Sequence, residues 1–154
     1  MAGGMKIIAE NRRARAEYAI EETFEAGIAL KGTEVKSLRE GRANLKESFA
    51  EVHGGEAWQV GCHISPYGHG NIHNHEPTRT RKLLLHKEEI LRLLGKTQEK
   101  GLTLVPMKMY FKRGRAKIEL GLGRGKKLYD RRQDEKERDA NREIHRALRE
   151  RNKG

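Results

Sequence analysis

The chain is poor in three things, and each shortage closes off a class of protein. Cysteine occurs once, as Cys62, so no internal disulfide can form and the sequence suits a reducing cytosol. A single cysteine reads as a small packing residue. Aromatic side chains are only 5% of the 154 residues, too few for a general single-strand binder that stacks successive bases on aromatic platforms. Long apolar runs are also missing. Leu83-Leu84-Leu85 and Leu102 to Met107 fall far short of the roughly 20 residues that cross a bilayer. The first ten residues include acid and have no long apolar centre, which argues against a signal peptide. The end of the chain offers chiefly Ile144, Ala147 and Leu148 as apolar residues, too few for a face lying in lipid. A cytoplasmic protein without a membrane partner is expected.

Catalytic patterns are scarce as well. His63, His69, His73 and His75 crowd near Cys62, but no paired CxxC cysteines accompany them, and Cys62 and His63 would diverge on a strand. They read as polar loop histidines rather than metal ligands. Gly121 to Lys127 resembles a phosphate loop only faintly. The first glycine is misplaced, and no serine or threonine follows the lysine to hold magnesium. No nucleophile stands beside a base. Neither an enzyme activity nor a cofactor is expected.

What the chain has in abundance is positive charge. Lys and Arg total 33 against 22 Asp and Glu, a formal net charge of +11 and a pI near 9.9. That excess calls for an acidic partner, and nucleic acid fits best once a membrane is set aside. Charged residues (36%) match hydrophobic ones (35%), so the core is small and part of the chain lies outside it. The densest central patch runs from Thr78 to Lys87, with Arg79, Arg81, Lys82, His86 and Lys87 around three leucines. Those leucines cannot all face inward, so one of them is expected at the surface. After Gly125 comes Lys126-Lys127-Leu128-Tyr129-Asp130-Arg131-Arg132 and then an almost wholly charged run. A cationic arm gains affinity for a polyanion by displacing condensed counterions, and Tyr129 could stack on a base.

Periodicity supplies the body. Tyr18, Ile20 and Phe24 share a parity that predicts a strand, interrupted by Gly27 and Gly32. A short helix is expected over Glu34 to Glu40, ending at Gly41. Gly54-Gly55 reads as a hairpin turn, and Pro66 to Pro77 as a loop. Lys87 to Lys100 is the clearest helix, with Ile90, Leu91 and Leu94 as its apolar stripe. Leu102 to Phe111 and Ala116 to Leu122 read as strands joined by a turn at Arg113 to Arg115. In the first, Val105, Met107, Met109 and Phe111 are expected on one face. Five or six short strands with two inserted helices predict a mainly β protein, an antiparallel barrel of the oligonucleotide-binding (OB) type. The expected division is a basic-fronted barrel over residues 1–125 and a tail over 126–154, helical only when bound.

Several segments together resemble the SmpB family, the protein partners of tmRNA. Ala29-Leu30-Lys31-Gly32-Thr33-Glu34-Val35-Lys36-Ser37-Leu38-Arg39 carries the likeness most clearly. Asn11-Arg12-Arg13-Ala14-Arg15, Pro77 to Leu85, Gly101 to Pro106 and Gly125 to Arg132 follow SmpB segments in the same order. The resemblance implies an OB-type barrel that binds the tRNA-like domain of tmRNA and brings it to stalled ribosomes for trans-translation. It also implies a tail that probes the small-subunit decoding centre and the empty mRNA channel, and elongation factor Tu as a partner through the tmRNA complex. By position, Glu25, Leu84 and His86 fall where the family contacts the tRNA-like domain. Tyr129 falls where it stacks in the decoding centre, and Asp130, Arg131 and Arg132 match the tail motif. Arg131 replaces a lysine common in the family, which keeps the charge and changes the donor geometry. The candidate RNA-binding set is Asn11, Arg12, Arg13, Glu25, Lys36, Arg39, Arg79, Arg81, Lys82, Leu84, His86 and Lys87. The candidate tail set is Lys126, Lys127, Tyr129, Asp130, Arg131 and Arg132. A general basic RNA-binding OB module, or a structural protein of the ribosome, is the competing expectation.

Overall fold

The computed structural model describes residues 5–68, 74–98 and 101–126. In chain order the elements are β1 (Met5–Glu10), α1 (Ala14–Glu17), β2 (Tyr18–Ile28), α2 (Gly32–Arg39), β3 (Ala43–Asn44), β4 (Phe49–His53), β5 (Glu56–Val60), β6 (His63–Ile64), β7 (Arg81–Leu84), α3 (Lys87–Gln98), β8 (Leu102–Lys112) and β9 (Arg115–Gly125). Seven strands pair in the order β1-β8-β4-β5-β7-β2-β9, and β9 pairs again with β8. That last pairing closes six strands into a ring, with β1 attached outside on β8, and closure removes the exposed edges an open sheet would carry. The expected OB-like antiparallel barrel is therefore the fold. β3 and β6 form a small ladder of their own.

The sequence explains the joints. Gly54 and Gly55 both take positive φ, 61° and 77°, between the opposed residues His53 and Glu56. A two-residue hairpin of this hand needs positive φ twice, which glycine supplies without steric cost. β9 continues past Leu122 to Gly125 because Gly121 and Gly123 let β2 come close. A Cβ on Gly123 would run into the Ala19 carbonyl, and one on Gly121 would lie 2.9 Å from the Met107 sulfur. The faint phosphate-loop glycines are thus strand-packing glycines.

Two bulges decide which side chains reach the core. One lies between Ile20 and Glu22 on β2, the other between Pro106 and Lys108 on β8. Each adds a residue and so reverses the face of everything beyond it. Phe24, Ala26 and Ile28 enter the main core with Leu102, Leu104, Met109, Ile118, Leu120 and Leu122. Tyr18 and Ile20 instead join a satellite cluster with Ala14, Val105 and Met107, beneath α1. The expected single face of Val105, Met107, Met109 and Phe111 is therefore split in two. The stripe of α3 is also corrected. Leu93 is its fully buried residue, whereas Leu91 is 59% exposed. The helix packs on β8 and β4 through the 90-93-94 spacing rather than through residue 91. The strand expected to break at Gly27 runs on to Ile28, and β1 was not foreseen.

Candidate nucleic-acid interface

The far end of β2 meets β7 through only two register pairs, Gly27 with Leu84 and Ile28 with Leu83. On β7, alternation buries Arg81 and Leu83 and exposes Lys82 and Leu84. Leu84 is 52% exposed. It lies over Gly27, where an added Cβ would sit 3.2 Å from the leucine Cβ. His86 then caps α3. Its carbonyl accepts from the Ile90 amide at 3.0 Å, and its own amide donates to the Glu89 carboxylate at 3.2 Å, the acidic half of a capping box. Glu25, Lys82, Leu84, His86, Lys87 and Lys117 line one open hollow of about 720 Å³. Glu25 from β2 and the neighbouring pair Leu84 and His86 thus share one surface, and the expected exposed leucine is Leu84.

Glu25 is one of three carboxylates that line the hollow, with Glu56 and Glu89, and the fold favours its ionised form. Its Oε2 accepts from the Tyr110 hydroxyl at 2.5 Å and from Lys112 Nζ at 3.3 Å. The hydrogen bond from Tyr110, opposed by partial burial and joined by Lys112 and Lys117, holds the carboxyl below its ordinary range. Burial, and then Glu25, push the Tyr110 hydroxyl above the usual phenol range.

Two candidates belong elsewhere. Arg81 is fully buried, so it is corrected from a surface contact to an internal strut. Its Nε donates to Glu34 at 2.5 Å, its Nη1 to the Cys62 carbonyl at 2.8 Å, and its Nη2 to the Pro77 carbonyl at 3.1 Å. Arg79 is also turned inward, donating to Glu34 at 2.6 Å and to the Ala29 carbonyl at 3.2 Å. Glu34 further accepts from the Lys31 amide at 2.7 Å, which starts α2. Burial alone would raise the Glu34 pKa, but the bonds from Arg79, the Lys31 amide and Arg81 hold it below its ordinary value. His75 completes this interior network, with Nε2 2.9 Å from the Ile64 carbonyl and Nδ1 2.9 Å from the Thr33 hydroxyl. A carbonyl only accepts, so Nε2 carries a proton. Lys36 and Arg39 are exposed on α2, with the Lys36 ammonium 5.4 Å from the Tyr67 ring centre.

The basic segment before β2 lies at the other end of the barrel. Asn11 is tied to β8, its amide to the Met107 carbonyl at 2.8 Å and its Nδ2 to the Pro106 carbonyl at 3.3 Å. Asn11 and Arg13 edge a second hollow that includes Lys46 and the exposed Phe49, and Arg12 is exposed beside them. Lys126 leaves the barrel here, its amide donating to the Glu17 carbonyl at 2.7 Å. Tyr18 pairs with Gly125 at this end and Gly27 with Lys117 at the other. The β2 residues that line them, Tyr18 in the one hollow and Glu25 and Gly27 in the other, lie about 23–30 Å apart along the strand. Lys127, Tyr129, Asp130, Arg131 and Arg132 lie outside the described residues. So do His69 and His73, and among the described residues no cluster of His, Cys, Asp or Glu could hold a metal ion.

Tyr110, Lys112 and Lys117 were not foreseen as site or support residues; their only signal is alternation on β8 and β9, which does not say which distant carboxylate they meet. Glu34 was not foreseen as a support residue, although it stands on α2 within the segment that carries the family likeness.

Comparison with known proteins identifies the family. The family described as SmpB protein matches residues 8–150. The SsrA-binding protein of Pelotomaculum thermopropionicum is 65% identical over 147 residues, 96% of each chain. That of Carboxydothermus hydrogenoformans is 65% identical over 146 residues, 95% of this chain and 98% of its own. Among solved structures, a chain described under "tmRNA-SmpB: a journey to the center of the bacterial ribosome" superposes with a TM-score of 0.65 at 60% identity, covering 77% of this chain and 84% of that one. With a family match over nearly its whole length and relatives at this identity, the chain belongs to the SmpB protein family.

Proposed function

We propose that this protein binds the tRNA-like domain of tmRNA and delivers it to stalled ribosomes in trans-translation. The observation that carries the reading is the hollow between β2, β7 and the start of α3. It gathers Glu25, Leu84 and His86 beside Lys82, Lys87 and Lys117, on a chain whose relatives are named SsrA-binding proteins. An open surface with cations around an exposed leucine suits structured RNA, where shape and phosphate outweigh base sequence. Lys36 and Arg39 on α2, and Asn11, Arg12 and Arg13 at the other end of the barrel, are further candidate contacts. The tail from Lys126 onward reads as the part that enters the decoding centre and mRNA channel of the small subunit, leaving the hollow at the far end of β2 free for RNA. Elongation factor Tu would join through the tmRNA complex, in the cytoplasm, and the chain would carry no reaction of its own.

The test is binding of the purified full chain to the tRNA-like domain and to an unrelated duplex RNA of equal length across a salt series. Charge alone makes both affinities fall together, with a log–log slope of about −0.7 to −0.9 per phosphate contact. A preference for the tRNA-like domain that persists at high salt supports the reading, and equal binding that vanishes with salt refutes it. The division of labour has its own test. Tyr129→Ala with Arg131→Ala should abolish tagging and spare tmRNA binding, and loss of tmRNA affinity in that variant would overturn it.

A further inference from the structure

Three carboxylates line the hollow: Glu56 pairs with Lys82, Glu89 takes the His86 amide at the start of α3, and Glu25 is the one fixed by a buried side-chain donor from another strand. Glu25 has one oxygen committed: Oε2 takes the Tyr110 hydroxyl at 2.5 Å and Lys112 Nζ at 3.3 Å. Tyr110 stands on β8 and Glu25 on β2, with β9 between them. The tyrosine is buried, with the Lys108 ammonium 5.7 Å from its ring centre. A rigid donor reaching over a strand fixes a side chain that would otherwise sample several rotamers.

Resting on the proposed tmRNA binding, we infer that Tyr110 and Lys112 are positioning residues. They hold Glu25 as a hydrogen-bond acceptor for an N–H or O–H donor of the bound RNA, either a base amino group or a ribose 2′-hydroxyl. The Tyr110 bond keeps Glu25 below its ordinary range, so the acceptor survives mild acid. Without that bond the carboxyl titrates at higher pH, and a protonated Glu25 offers a donor where an acceptor is needed. The sign follows: binding should be lost at higher pH in Tyr110→Phe than in the parent.

Other titratable groups face Glu25. From β9 come Lys117 and Glu119, the latter 3.8 Å from Lys108. Across the hollow stand Lys82, paired to Glu56 at 2.9 Å, and His86 with Glu89 beneath it. All are common to both proteins and cancel in the ratio of their affinities.

The experiment measures affinity for the tRNA-like domain from pH 7 to pH 4.5, for the parent and for Tyr110→Phe, each also in a Glu25→Ala background. Tyr110→Phe is expected to weaken binding modestly at pH 7 and by up to about twofold more at pH 4.5, where a carboxyl released to its ordinary value of 4.5 is half protonated. In the Glu25→Ala background it should change nothing. A loss that is the same at every pH, or one that persists without Glu25, overturns the inference by reducing Tyr110 to packing. If the parent shows no preference for the tRNA-like domain at pH 7, the functional reading fails first. A fully 2′-deoxy copy of the RNA assigns the donor: a Tyr110→Phe penalty that disappears on it points to the ribose hydroxyl, and one that persists points to a base.

Discussion

Glu34 and Glu25 are two carboxylates held down by donors within the same barrel, and they have opposite employments. Glu34 is fully buried with Arg81 beside it and Arg79 half covered. Two segments remote in sequence, α2 and the stretch from Arg79 to Arg81 that leads into β7, are fastened through its two oxygens. Glu25 is part-exposed and held from one side, by Tyr110 and Lys112. Burial makes the difference. Ion pairs in the interior must satisfy each other completely, whereas one at the surface can keep an acceptor for a visitor. The motif that most resembles SmpB, Ala29 to Arg39, is thus largely a fastening. Within it Glu34, Ser37 and Leu38 are buried, and the Ser37 hydroxyl donates to the Ser65 carbonyl at 2.7 Å.

The sharpest way to break the contrast is Glu34→Ala. It strands one buried guanidinium and half of another, and removing one partner of a buried pair costs about 3–5 kcal/mol, a large share of the stability of a domain this size. Urea denaturation followed by circular dichroism measures it, and a loss below about 1 kcal/mol would mean the network fastens nothing. Its pH signature has a fixed sign. The folded Glu34 pKa lies below the unfolded one, so its contribution is complete above the ordinary carboxylate range and disappears as pH falls through the folded value. Glu25→Ala should leave the urea midpoint nearly unmoved, because a part-exposed pair contributes little.

The contrast also explains what the sequence could and could not reveal. Strand and helix positions were readable wherever periodicity was clean: the Gly54-Gly55 hairpin, α3, and the pair β8 and β9. The bulges at Ile20/Glu22 and Pro106/Lys108 leave no mark in hydropathy, since parity looks unbroken while the face changes. Arg79 and Arg81 looked like surface cations because charge in a sequence carries no sign of burial, and a buried arginine depends on a carboxylate more than forty positions away. Leu84 could be anticipated because three successive leucines cannot all point inward. Lys82 and His86 stand out by composition, but that Lys117 and Tyr110 share their surface follows only from closing the barrel.

Gly123→Ala tests closure, and a smaller loss is expected. The new methyl would collide with the Ala19 carbonyl, and backbone yields less readily than side chain, so a cost of about 1–3 kcal/mol follows. A thermal melt reads it, and an unchanged melting temperature would mean that β2 and β9 are less tightly seated. Smaller still for the fold, and confined to binding, is Leu84→Ala. An exposed leucine contributes nothing to the core, but covering it with RNA would contribute about 1.5 kcal/mol or more. Affinity for the tRNA-like domain should therefore drop roughly tenfold at an unchanged melting temperature. A matching drop in stability would move Leu84 from the interface to the core.

The least disturbing prediction uses Cys62 as a reporter of the buried half of the comparison. The thiol is fully buried, beside the strut formed by Arg81, and burial pushes its pKa up to about 11. At pH 8 only about one molecule in a thousand would then carry a thiolate, against roughly a quarter for an ordinary cysteine. Alkylation by iodoacetamide, which needs the thiolate and access to it, should be very slow in the native protein and fast in urea. In Glu34→Ala the native-state rate should rise, because Arg81 loses the carboxylate that fixes it against the Cys62 carbonyl. In Leu84→Ala and Glu25→Ala it should not change. Rapid labelling of the unaltered protein at pH 8 would show that the interior around Arg81 opens on its own, and the distinction between a sealed carboxylate and an available one would then rest on geometry alone.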